Sequence, residues 1–110
     1  MAHYLVRGKP VPEYEKELQN KVRNEDFKSL RPFGDALTQS LLNARKDPDG
    51  YWVWEEIDHS SPPLQQERET VLDTYFRRLE IEPIEEGQGM DKIRAMEPIF
   101  PEFLVERDYI

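Results

Sequence analysis

The stretch Asp47-Pro48-Asp49-Gly50-Tyr51-Trp52-Val53-Trp54-Glu55-Glu56-Ile57-Asp58 decides how this chain folds. Its first four residues have the composition of a tight turn or hairpin loop. The rest is aromatic and β-branched and reads as a strand. Successive strand side chains point to opposite faces, so Tyr51, Val53 and Ile57 share one face, with Glu55 among them. Trp52 and Trp54 share the other, followed by Glu56 and Asp58. Both faces begin apolar, whereas a half-solvated strand alternates apolar and polar residues. Something is therefore expected to cover each side.

After this strand, Ser60 or Ser61 is placed to cap a helix whose first turn holds Pro62 and Pro63. Leu64, Val71, Leu72, Tyr75, Phe76 and Leu79 give that helix an apolar stripe over residues 64–79, with Arg77 and Arg78 where the helix dipole favours cations. Residues 79–84 alternate as a strand, and Pro83 makes it an edge or a terminus. On the other side, residues 36–45 are ambiguous. As a helix they would align Phe33, Leu37, Leu41 and Ala44. As a strand they would form a hairpin with residues 51–58. The strand is preferred, because a lone aromatic strand needs a neighbour and the hairpin supplies the nearest one.

The chain opens with a candidate strand at residues 3–7, closed by the prolines Pro10 and Pro12. A helix is expected from Pro12, with Tyr14, Leu18 and Val22 on one stripe. Beyond the joint at Gly87 and Gly89, residues 90–96 suit a short helix with Met90, Ile93 and Met96 inward. The segment 98–105, with Phe100 and Phe103, is proline-broken but apolar, so it is expected to lie on an apolar surface.

The resulting order is strand, helix, strand, strand, helix, strand, tail. It predicts an α+β fold of the ferredoxin-like βαββαβ type: an antiparallel sheet, two helices on one face and a C-terminal extension. The order, together with the hairpin at 41–57, its Asp-Pro-Asp-Gly loop and Trp54-Glu55, resembles the dimeric α+β barrel proteins, which include the antibiotic-biosynthesis monooxygenases. The resemblance covers residues 3–84 in outline. It implies two sheets packed face to face in a homodimer and carries over no catalytic residue. Residues 1–86 are expected to form the ferredoxin-like domain, and residues 87–110 a tail that packs on it or on a partner.

With 110 residues the chain has the length of one domain that can bury a core without cross-links. It has no cysteine, which removes disulfides, thiol catalysis and sulfur-ligated zinc, and suits a reducing cytoplasm. No apolar run approaches the ~20 residues of a membrane helix. Fifteen basic against 23 acidic side chains give a net charge of −8, which argues against phosphate-driven nucleic-acid binding. The expectation is a soluble cytoplasmic protein that binds neither nucleic acid nor membrane and needs no cofactor.

Glu56, Asp58 and His59 are the candidate acid–base residues, at the end of the central strand. With Glu55 they are also the densest set of oxygen and imidazole ligands. Glu55 points away from Glu56 and Asp58, so a solvated strand end is preferred and no metal site is assigned. His3, the second of two histidines, is an alternative base. Trp52, Trp54, Phe100 and Phe103 are the candidate ligand-binding or interface residues, with core or dimer interface as the favoured role and a small apolar ligand as the other occupant. Function divides accordingly: a small acidic domain that self-associates through an apolar sheet face or, alternatively, a ferredoxin-like small-molecule enzyme built around His59.

Overall fold

The aromatic stretch forms a central strand, and the neighbouring elements are placed against it. The structure, a computed structural model, describes residues 2–58 and 62–103. In chain order the elements are β1 (Ala2–Pro10), a 3-10 turn (Pro12–Tyr14), α1 (Glu15–Arg23), α2 (Gly34–Leu42), β2 (Arg45–Lys46) and β3 (Trp52–Asp58). Then come α3 (Gln65–Glu67), a π-helical stretch (Arg68–Leu72) and α4 (Asp73–Tyr75), which join into one helical segment, 65–75. The chain continues through β4 (Phe76–Ile84), α5 (Gln88–Ile93), β5 (Glu97–Pro98) and a 3-10 turn (Pro101–Phe103). The fold is α+β. Its five-stranded sheet has the order β4-β1-β3-β2-β5, and each neighbouring pair is antiparallel.

Register fixes which side chains share a face. Val6 lies opposite Trp54 and Ile81, and Tyr4 lies opposite Glu56 and Pro83. Trp52, Trp54, Glu56 and Asp58 thus share a face with Tyr4, Val6 and Ile81. Over it lie Leu18 and Val22 of α1, Leu37 and Leu41 of α2, and Val71 and Leu72 of the π stretch, in one apolar cluster. The opposite face carries Leu5, Val53, Glu55, Ile57 and Ile84. Helix α5 crosses it so closely that a Cβ on Gly89 would stand 2.9 Å from Ile84 Cδ1. Lys92 of α5 reaches Glu82 of β4 at 3.8 Å. The start of β3 is therefore covered on both sides by this chain's own segments, while Ile57 near its end stays exposed, and burying the tryptophans requires no second copy.

Two local expectations are corrected. Residues 36–45 are not a strand. Helix α2 occupies Gly34–Leu42, and only Arg45–Lys46 pairs with β3. Helix wins because Leu37, Thr38, Leu41 and Leu42 recur on one buried face, which a strand would split between two. Gly34 permits the entry, since a Cβ there would meet the Phe27 and Lys28 carbonyl oxygens at 2.4 and 2.6 Å. The hairpin loop itself is present. Asp47 Oδ1 accepts the Asp49 and Tyr51 amides, and Gly50 takes a positive φ of 86°.

The helix expected over 64–79 ends at Tyr75. Phe76 turns extended (φ −125°, ψ 152°), pairs with Pro10 and packs its ring 5.5 Å from Trp52 and 5.2 Å from Trp54. Tertiary aromatic packing thus overrides the helical stripe. Arg78, at φ 54°, lies where the β1–β4 register shifts, which marks a bulge. Arg77 still reaches the helix end, donating to the Asp73 carbonyl at 3.0 Å.

Phe100 is fully buried, edge-on to Trp52 at 5.7 Å, and Phe103 stacks on it from an exposed position. Leu104 and Val105 lie outside the described residues, as do His59 and the expected caps Ser60 and Ser61. Among the described residues no helix is long and apolar enough to cross a membrane.

Candidate functional site

Strand periodicity alone puts Trp54, Glu56 and Asp58 in a row beneath the 65–75 helical segment. Glu56 is 1% exposed. The indole N–H of Trp54 donates to its Oε1 at 2.9 Å, while its Oε2 has no hydrogen-bond partner among the described residues. Asp58, 8% exposed, accepts the Leu64 amide at 2.6 Å. That bond holds Leu64 in a left-handed conformation (φ 59°) at the helix entry, where an N-cap side chain would otherwise serve. Glu67, on the next turn, is 3% exposed, and its Oε2 is also without a partner.

Three carboxyl groups thus converge between strand and helix. An ionised carboxylate loses its hydration here, so burial favours the neutral acid. Burial pushes Glu56 up to about 8, assisted by the negative charges of Glu67 and Asp58 and opposed by the Trp54 hydrogen bond. Burial likewise raises Glu67, with Asp58 adding to the effect and a backbone hydrogen bond opposing it. The cluster can hold a proton at neutral pH and release it to a group that reaches Glu56 Oε2.

Of the sequence-predicted acid–base set, the structure brings Glu56 and Asp58 together; His59 lies outside the described residues. Glu67, in the run Glu67-Arg68-Glu69, was not among the candidates drawn from the sequence. Its position held a signal nonetheless, three residues after Leu64 and four before Val71, within the apolar stripe. Among the described residues no three acidic or imidazole side chains are arranged to hold a metal ion.

Glu55, on the other face, has a different role. Its two oxygens accept the Met90 and Gly87 amides at 3.0 Å each, which tethers the start of α5 to β3. His3 Nδ1 stands 3.5 Å from Glu55 Oε2. Trp52, Trp54 and Phe100 are fully buried within one chain, so only Phe103 of the four aromatic candidates presents a surface.

Two depressions flank the site. A crevice of about 450 Å³ lies over the same sheet face, floored by Tyr4, Leu79, Ile81 and Pro83 and bounded by Pro62, Pro63 and Arg68. Tyr4 separates it from Glu56, its cross-strand neighbour. A groove of about 270 Å³ lies between α2 and β3, lined by Gln39, Ser40, Asn43, Glu55, Ile57 and Met90, with Ala36 at its side. No protein-family model, curated protein or solved structure matches the chain. The chemistry of the site therefore rests on its own residues.

Proposed function

We propose that this chain is a ferredoxin-like α+β domain that binds a small molecule beside the carboxyl cluster and exchanges a proton with it through Glu56. Connectivity supports the fold assignment. Strands β1 and β2 flank β3 and are joined through α1 and α2, while β3 and β4 flank β1 and are joined through the 65–75 helical segment. These are two interleaved βαβ units, with α5 and β5 as additions.

The observation that carries the chemistry is Glu56, a carboxyl wholly out of solvent with one oxygen anchored by Trp54 and the other unpartnered. Native proteins seldom leave buried polar atoms unpaired, and carboxyls kept protonated by burial are suited to general acid work. Asp58 holds the helix entry in place, and the charge of Glu67 helps to keep the proton on Glu56. The test is a thermal-shift screen of a small-molecule set on wild type and Glu56→Gln, at about pH 6 and about pH 9, either side of the Glu56 transition. Stabilising compounds whose effect changes between the two conditions in wild type, but not in the variant, are expected. Compounds that stabilise both proteins equally under both conditions would refute the reading.

A second reading, self-association into a homo-oligomer, is favoured by Ile57, which is 44% exposed beside Ala36 and Met90 in the α2–β3 groove. Sedimentation that finds only monomer at high concentration removes it.

A further inference from the structure

We infer that the crevice over β1 and β4 is a binding site for a small carboxylate with an aliphatic or aromatic body. The inference deepens the small-molecule reading above by naming the ligand class. Tyr4, Leu79 and Ile81 are only partly buried although they pack against the core cluster, so an apolar floor stays open there. Its volume of about 450 Å³ lies in the range of small-ligand pockets. Pro63 at the rim and Pro83 on the floor offer no backbone N–H.

Among the described residues Arg68 supplies the only charge in the lining. Among the described residues it pairs with Asp73 at 3.7 Å, with both side chains exposed, so that pair is weak and readily exchanged. A guanidinium at the edge of an apolar floor matches a ligand with an apolar body and an anionic end, since guanidinium pairs carboxylate in a fork geometry. Among the described residues this lining has no acidic side chain to pair with a cationic amphiphile. The crevice meets the carboxyl cluster through Tyr4, the cross-strand neighbour of Glu56, and through the helix on which buried Glu67 precedes exposed Arg68. A ligand anchored on Arg68 therefore lies across Tyr4 from Glu56.

The test is an NMR titration of the full chain at neutral pH with octanoate, octanol and octylammonium, each below its aggregation concentration. Octanoate is expected to move the Tyr4, Leu79 and Ile81 signals and to bind about ten-fold more tightly than octylammonium, as one charge-assisted hydrogen-bonded pair allows. Arg68→Gln, at an exposed position where folding is not at risk, should abolish that preference and leave octanol binding unchanged. Equal binding of octanoate and octylammonium, an unaltered preference in Arg68→Gln, or signal changes confined to other residues would overturn the inference. Failure of octanoate to bind leaves the titration of Glu56 untouched, and ordinary ionisation of Glu56 leaves octanoate binding untouched, so the two readings fail separately.

Discussion

Glu55 and Glu56 are neighbours in β3 and face opposite sides of the sheet, and their surroundings differ as much as those of two carboxylates in one strand can. Glu55 accepts two backbone amides and stands beside His3, so its charge is matched by donors. Glu56 has one indole donor, two acidic neighbours and no solvent. The first arrangement pins a short helix to the sheet. The second stores a proton. The contrast shows that two carboxyl groups of one strand can differ in their supply of donors, and that burial with few donors is what favours the neutral acid.

Replacing Trp54 by Ala should have the largest effect. It empties a fully buried ring site packed on Phe76 and takes the one donor from Glu56. Stability should fall by about 3–5 kcal/mol in denaturant unfolding. A loss under ~1 kcal/mol would mean that this face is not the core.

The pH dependence comes next. The folded-state pKa of Glu56 is raised from 4.5 to about 8, so its contribution to stability is complete below the lower value and is lost as pH rises to the upper one. Stability should decline across that window by roughly a few kcal/mol, at ~1.4 kcal/mol per pH unit. Glu56→Gln should flatten the decline and leave the variant the more stable protein above the window. An unchanged slope in the variant would assign the proton elsewhere.

Glu55→Ala should cost about 1–2 kcal/mol by leaving the Gly87 and Met90 amides without their acceptor. Hydrogen exchange should speed up in α5 and not in the 65–75 helical segment, which separates the roles of the two glutamates. The smallest effect belongs to Arg68→Gln, whose stability should stay within ~0.5 kcal/mol of wild type because its ion pair is exposed.

The sequence made the central strand legible because its period of two is local: the alternation that separates Trp54 and Glu56 from Glu55 follows from the chain alone. It also put Glu56 and Asp58 on one face. Glu67 was harder to read, since a Glu-Arg-Glu run looks the same whether its first member points to solvent or to the core, and only its place in the stripe between Leu64 and Val71 tells them apart. Residues 36–45 were misjudged because the hairpin's need for a partner outweighed the helical spacing of Leu37 and Leu41, whereas two residues of β2 suffice to close the hairpin. The end of the helix at Tyr75 is a tertiary outcome. Phe76 fits either stripe until Trp52 and Trp54 are seen to claim it. Of the tail segment, Phe100 lies against Trp52, and residues from 104 onward are outside the described ones.

The central claim is that Glu56 keeps its proton in neutral solution. Carbon-detected NMR of the chain carrying ¹³C-labelled glutamate, with Glu56 assigned by its absence in Glu56→Gln, measures this directly. A carboxyl signal that titrates near 8 is the result predicted. A Glu56 signal that titrates with the exposed glutamates in the ordinary carboxylate range would contradict it.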